Sequence, residues 1–360
     1  MSPPKRKPEL DPTAIVWLNQ NIAGLAAEIT DRHFAAHPEL AEKYGAKGWQ
    51  KCQEDAAYHL HYLSSAIGAD SPDVFSQYIG WAKIMLKSRG IAPEDLAQNL
   101  RMIKDVLLHK ACEADAGLIR EYIDHALEQF PQLPESLPSF IDVRQPYSDL
   151  ANEYLKKLLL FDRSAAINRV LHAVEKGLTV KDAFQYVITP AQQEIGRLWQ
   201  LNQITVIQEH YCSISADLLL MRLARRYIGV PREVSALTLC AQNEEHCLGI
   251  KLLSELLESD GWKVHYVGAK TPTTDVMRHL KSNPTDLIAI SVGTPMSLPR
   301  VKELIDAAKS LQPPLRPRIL VGGAALNNQP DIVRTLGADG YAATLLDGLE
   351  EANKIVRKAS

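Results

Sequence analysis

The chain has 360 residues, of which 40 are Lys or Arg and 43 Asp or Glu, for a formal net charge of −3. That length exceeds what one hydrophobic core normally serves, so two or three domains are expected, and the weak net charge gives no reason to expect nucleic acid as the main partner. No apolar run reaches the roughly 18 residues of a membrane span, and the opening Met1-Ser-Pro-Pro-Lys-Arg-Lys lacks the apolar stretch of a signal peptide. Five cysteines, Cys52, Cys112, Cys212, Cys240 and Cys247, are odd in number and unclustered. This argues against a disulfide framework or a C-x-x-C zinc site and for a reduced, cytoplasmic setting without membrane contact.

Residues 1–10 read as a flexible tail. Residues 11–130 then read as helix after helix, with 3.6-period apolar faces and no convincing strand. A long helix is predicted from Gly48 to Gly68, on which Lys51, Asp55, His59 and Tyr62 recur at three- or four-residue steps and share a face. A second, Pro72 to Arg89, places Tyr78, Trp81 and Met85 on one side and brings Lys87 and Arg89 to its end. Aromatic walls with cations, a carboxylate and an imidazole suit a planar conjugated ligand bearing propionates. Two other readings stand beside it: haem, with His59 or His61 as axial ligand, and a ligand-free dimerisation module in which His59 and Trp81 fill the interior. Cys52 lies near the same face.

Pro131, Pro134, Pro138 and Pro146 punctuate residues 131–147, which read as a Pro-rich linker. Residues 148–230 return to a helical pattern and suit a four-helix bundle. Gly177 is placed to end one helix, Thr179 to cap the next and Pro190 to kink it. Near its end, Trp199 is followed after nine residues by Glu209-His210. Thr205 and Gln208 form a capping-box pair, so Glu209 and His210 fall near the first turn of a helix, where free N–H groups favour a carboxylate.

Residues 231–360 alternate short apolar runs with amphipathic helices five times, the rhythm of a doubly wound, Rossmann-like α/β domain. Three runs, Ala236 to Cys240, Leu287 to Val292 and Arg318 to Val321, are each followed by polar or glycine-rich motifs. These are Glu244-Glu245-His246-Cys247-Leu248-Gly249, Ser291-Val292-Gly293 and Gly322-Gly323. An open parallel sheet exposes such strand ends to a ligand. There, Glu244 can accept a ring N–H of His246 and fix its tautomer. Gly249, Gly293, Gly322 and Gly323 suit a channel in which a Cβ would block close backbone approach.

These three elements, in this order and spacing, resemble the base-off, His-on cobalamin signature. The resemblance implies that His246, as a neutral imidazole, ligates cobalt from below, and that Ser291 and the glycines receive the displaced nucleotide tail. The family usually has Asp at the position of Glu244. The W-x9-EH pattern resembles the adenosylcobalamin light sensors typified by light-dependent cobalamin transcription repressors. It implies that Trp199 covers an adenosyl group whose pocket Glu209 and His210 line. The repressor type has a His directly after the Trp that ligates cobalt after illumination. Here that position is Gln200, leaving His210 or water as upper ligand in the light.

The segments EDAAYHLHYL and FSQYIGWAKIMLKSRG resemble the globin-like domain of photocobilins, bacterial photoreceptors holding adenosylcobalamin and biliverdin. This resemblance covers about residues 12–358 and implies a bilin among Lys51, Asp55, His59, Tyr62, Tyr78, Trp81, Lys87 and Arg89. The expected protein is therefore a sensor without catalytic residues, a homo-oligomer whose assembly changes with light. A corrinoid methyl carrier is the competing reading, while a mutase would need a catalytic barrel for which the chain has no room. No kinase, cyclase or DNA-binding element is legible, so output is expected through self-association or a separate protein.

Overall fold

A computed structural model describes residues 13–224, 229–242, 244–327 and 329–357. The tail expected at residues 1–10 lies outside them. The chain divides into two compact units, one ending at Glu135 and the other beginning at Ser136.

The first unit is all helical: α1 (Thr13–Ala36), α2 (Pro38–Gly68), α3 (Pro72–Ser88), α4 (Pro93–Lys110) and α5 (Glu113–Gln129). Proline opens α2, α3 and α4, where its missing N–H costs nothing and its fixed φ starts the helix. α2 starts ten residues before the expected Gly48, and Gly45, at φ 62°, breaks its regularity. Glycine tolerates that conformation, so two helical stretches meet there at a kink, and the buried face runs from Ala56 onward. Leu18, Ile29, Leu60, Phe75, Ile79 and Ile103 are fully buried between the helices. Lys83 of α3 is also buried, and its ammonium donates to the carbonyls of Phe130 and Leu133 at the unit's end.

The boundary between the two units falls within residues 131–147, and the part after Ser136 packs on the second unit. That part is a strap: Phe140 N–H donates to Glu194 Oε2 at 2.9 Å, Arg197 donates to the carbonyl of Leu137, and Ile141 is buried in the bundle core. Prolines prevent helix there, and side chains of the bundle satisfy the backbone instead. Four helical segments follow around one apolar core: α6 (Ser148–Leu159), α7 (Arg163–Glu175), a rod from Val180 to Gln200, and α10 (Val206–Ala224).

Gly177, at φ 106°, follows α7, and Thr179 Oγ1 accepts from Asp182 N–H. The rod comprises α8 (Val180–Asp182), a π turn (Ala183–Ile188) and α9 (Thr189–Gln200). Pro190 therefore does not end the helix. A wider π turn before it accommodates the missing N–H and the ring's clash with the preceding turn.

The sheet is fully parallel, with β1 (Ser235–Cys240), β2 (Lys263–Gly268), β3 (Leu287–Ser291), β4 (Arg318–Gly322) and β5 (Gly340–Ala342) in the order β2-β1-β3-β4-β5. Helices α11 (Leu248–Ser259), α12 (Thr273–Ser282), α13 (Leu298–Lys309), α14 (Pro330–Leu336) and α15 (Leu345–Arg357) make the crossovers and close the fold. This is the expected doubly wound order, and the three strands read from the sequence fall within a residue of β1, β3 and β4. Leu252 and Leu256 of α11 belong to the same core as the four helical segments, so bundle and sheet pack as one unit.

Candidate functional site

The chain leaves β1 towards β2 on one side of the sheet, crosses back to β3, and leaves β3 towards β4 on the other side, so the order reverses between β1 and β3. The β1 and β3 carboxyl ends therefore flank the crevice where open α/β sheets bind ligands. Glu244 to Cys247 follow β1, and Val292 to Thr294 follow β3. Across the crevice, the Glu244 carboxylate, 1% exposed, collects five donors. Oε1 accepts from Glu245 N–H and His246 N–H at 3.0 Å and meets His246 Nδ1 at 2.5 Å. Oε2 accepts from Thr294 N–H at 2.7 Å and Thr294 Oγ1 at 3.2 Å. The extra methylene of Glu is thus accommodated by reaching the β3 loop as well as the imidazole.

Burial by itself would raise the Glu244 pKa. The hydrogen bonds from His246 and Thr294 overcome it and hold the carboxyl down at about 2. The anion in turn raises the His246 pKa, chiefly through its hydrogen bond, with burial opposing and the charges of Glu244 and Glu209 adding. With Nδ1 engaged, Nε2 is the ring atom left to coordinate, and the imidazole is 76% exposed. Thr294 was not legible as part of the site, since its backbone N–H is half of its contribution and any residue type supplies one.

A cavity of about 520 Å³ adjoins this relay, lined by His246, Gly249, Ser291, Gly293, Gly322 and Gly323 among others. The glycines do different work from the common role assigned to them in the sequence. A Cβ on Gly293 would stand 2.7 Å from Glu244 Oε2 and one on Gly323, at φ +112°, 2.4 Å from Val292 O. At Gly322 the clash is with Ala342 O at 2.8 Å. These three allow protein segments to meet around the cavity. At Gly249 a Cβ would touch nothing, so its absence leaves room in the cavity it lines.

On the bundle, Thr205 and Gln208 form the expected reciprocal cap, with Gln208 N–H on Thr205 Oγ1 at 3.2 Å and Thr205 N–H on Gln208 Oε1 at 3.0 Å. Glu209 and His210 stand in the first turn of α10, 3.4 Å apart, and Ser213 Oγ donates to Glu209 Oε1. Trp199 packs against the bundle core. None of these three lines the cavity, but the charge of Glu209 acts on His246, which puts both motifs in one electrostatic neighbourhood.

In the first unit, α2 and α3 bring together His59, Tyr62, Tyr78 and Trp81. Tyr62 and Tyr78 stack at 3.6 Å, Tyr78 and Trp81 lie 6.3 Å apart, and the Tyr78 hydroxyl meets His59 Nδ1 at 2.9 Å. Burial drops the His59 pKa to about 4, so the ring is neutral. Asp55 is lifted to about 6, by burial first and then by Glu54, against the pull of Lys51 and Arg89. Lys51 pairs with Glu54 and Lys87 with Glu135, so neither stands as an uncommitted cation, while Arg89 donates to Met85 O and Ser88 Oγ. Burial also raises the Cys52 thiol to about 11, which suits packing better than reaction.

The expectation of unclustered thiols is overturned at one place. Cys240, at the end of β1, and Cys247, beside His246, are joined as a disulfide with Cα atoms 6.0 Å apart. They are seven positions apart in sequence, and only the return of the loop after β1 makes them neighbours. Among the described residues no helix is long and apolar enough to cross a membrane.

Comparison with known proteins defines the class to which this site belongs. Residues 234–350 match the B12 binding domain, residues 150–216 match a second B12 binding domain model, and residues 10–130 match the phycobilisome protein model. The chain thus carries B12-binding domains over its second unit. It is 24% identical over 222 residues to the HTH-type transcriptional repressor CarH of Myxococcus xanthus, covering 59% of this chain and 73% of that one. It is 26% identical over 115 residues to dimethylamine corrinoid protein 3 of Methanosarcina acetivorans, covering 32% of this chain and 53% of that protein. The chain thus spans about half the length of this second relative. The monomethylamine corrinoid protein structure from Methanosarcina barkeri superposes with a TM-score of 0.49 at 15% identity, over 58% of this chain and all of that one.

Proposed function

We propose that this protein is a light sensor that holds adenosylcobalamin in its second unit, with His246 as lower cobalt ligand, and a biliverdin-like bilin in its first. The observation that carries the cobalamin reading is the His246–Glu244–Thr294 relay at the mouth of a glycine-shaped cavity. The residues fit the cofactor: an exposed imidazole is oriented by a buried anion, and beside it Gly249 leaves open a space that a Cβ would fill. When bound, the cofactor supplies a cobalt–carbon bond weak enough for visible light to break. Glu244 holds His246 in the tautomer that coordinates, Glu209 and His210 offer polar groups from the bundle, and Trp199 supplies an aromatic plane. A change at that face is transmitted through α11, whose Leu252 and Leu256 lie in the bundle core. The similarity to the CarH repressor supports the sensor.

A bilin in the first unit is supported by the His59, Tyr62, Tyr78 and Trp81 cluster and by the match of that unit to the phycobilisome model. A second reading, a corrinoid methyl carrier, is favoured by the similarity to dimethylamine corrinoid proteins and by the 76% exposure of His246. Titration of the full chain with adenosylcobalamin and, separately, methylcobalamin tests both. The sensor binds the adenosyl form in preference and shows a His-on spectrum that His246→Ala abolishes. An unchanged spectrum and affinity in that variant removes His246 as ligand, and preference for the methyl form returns the protein to the carrier reading.

A further inference from the structure

Cys240 and Cys247 bracket the loop that carries His246, and the relay uses neither of them. Cys240 is the last residue of β1 and is fully buried. Cys247 is half-buried, packs against the core of the sheet and stands at the N-cap of α11, directly after His246. Their Cα atoms are 6.0 Å apart, inside the span that a disulfide requires, and the sulfurs are bonded. On the other side of the histidine, Glu244 Oε1 accepts from the N–H groups of Glu245 and His246. With the bond in place, the His246 backbone is fixed from one side by a carboxylate and from the other by the strand end. Cutting the bond leaves the carboxylate alone.

We propose that Cys240 and Cys247 form a redox latch that sets how firmly His246 is held for cobalt, so that the thiol–disulfide balance around the protein adjusts its affinity for the cofactor. The inference rests on the cobalamin reading and adds a control that the strand-end motifs lack. The oxidant is a small-molecule disulfide. The thiolate of Cys247, the member of the pair that a reagent reaches, attacks one of its sulfurs and expels a small thiolate with the electron pair of the broken S–S bond. Cys240 thiolate then attacks Cys247 Sγ, closes the protein disulfide and expels the second small thiolate. The two protein thiols lose two electrons, the small disulfide gains them, and the two thiol protons pass through solvent to the released thiolates. A small dithiol runs both exchanges in reverse. A loop ordered before the cofactor arrives need not be ordered during binding, so the latched form binds more tightly.

The test starts from the full chain equilibrated in the dark with oxidised glutathione or with dithiothreitol and then desalted. Alkylation in denaturant with peptide mapping is expected to find Cys240 and Cys247 blocked after oxidation and both alkylated after reduction. Titration with adenosylcobalamin is expected to show about tenfold tighter binding by the oxidised form. In cofactor-free protein, hydrogen exchange in the peptide carrying His246 is expected to quicken on reduction. Cys247→Ser, which keeps a hydroxyl suited to a helix N-cap, is expected to match reduced wild type after either treatment. Cys240 alkylated after oxidation, equal affinities of the two wild-type forms, exchange unchanged by reduction, or a redox effect that persists in Cys247→Ser overturns the latch while leaving the cobalamin reading in place. Wild type that binds adenosylcobalamin in neither form overturns the reading and the inference together.

Discussion

Gly293 has no side chain of its own to offer a ligand, yet it sets the position of the Glu244 carboxylate, since one added methyl would stand 2.7 Å from Oε2 and 2.8 Å from the carboxyl carbon. The carboxylate is held by five donors and has no slack in which to yield. Gly293→Ala is therefore expected to turn His246 away from its coordinating pose and to weaken cobalamin binding at least about tenfold with the fold retained. Cobalamin titration beside circular dichroism checks this, and wild-type affinity in the variant would contradict it.

In the first unit the informative residues are His59 and Asp55, whose linkages have opposite signs. Below its ordinary value of 6.5, the unfolded state protonates His59 while the folded state, at about 4, does not. Its contribution, on the order of 3 kcal/mol, is full above 6.5 and is lost as pH falls towards 4. Asp55, raised from 3.8 to about 6, favours the folded state at low pH and loses that advantage as pH rises through 6. The two largely offset in wild type. Asp55→Asn should unmask His59, so that amide protection in α2 falls between pH 6.5 and 4; the same flat profile in both proteins would refute the linkage.

At the scale of elements, the pair α2 and α3 forms one aromatic wall because Tyr78 touches both Tyr62 and His59. A planar bilin that inserts there must displace or stack upon exposed ring surface, and Trp81, 39% exposed, offers it. Titration of the full chain with biliverdin is expected to give a red-shifted, saturable band, reduced in Trp81→Ala. No band would leave the helical unit without a pigment, and a Soret band with haem lost in His59→Ala would assign it to haem. The sequence placed the four aromatic and imidazole groups on helical faces correctly, because a fixed 3.6-residue period determines which residues share a side. It did not show the ion pairs of Lys51 with Glu54 and Lys87 with Glu135. Pairing of long flexible side chains is decided by surroundings that periodicity does not encode.

For the whole molecule, α11, which follows His246, shares a core with the bundle, so a change at His246 has a packed route into α10 and α9. Val206, Ile207, Ile214 and Met221 expose apolar surface along α10, on the helix that carries Glu209 and His210. Light-dependent assembly is accordingly expected of the protein loaded with adenosylcobalamin: size-exclusion profiles in the dark and after green light should differ. Coincident profiles after cleavage of the adenosyl group would rule out a quaternary switch in the isolated chain.

The sequence by itself determined the succession of helical and α/β regions, the three strand ends and the histidine and carboxylate that meet there. Period, capping chemistry and strand-end position are local properties, and Glu244 and His246 are only two residues apart. Tertiary structure alone decided what depends on distant segments. It brought Thr294 onto Glu244 from 50 residues away, turned residues 137–141 into a strap, divided the glycines between packing and cavity, and joined Cys240 to Cys247. Such contacts arise from how the crossovers and the π turn stack the elements, and no periodicity along the chain records that stacking.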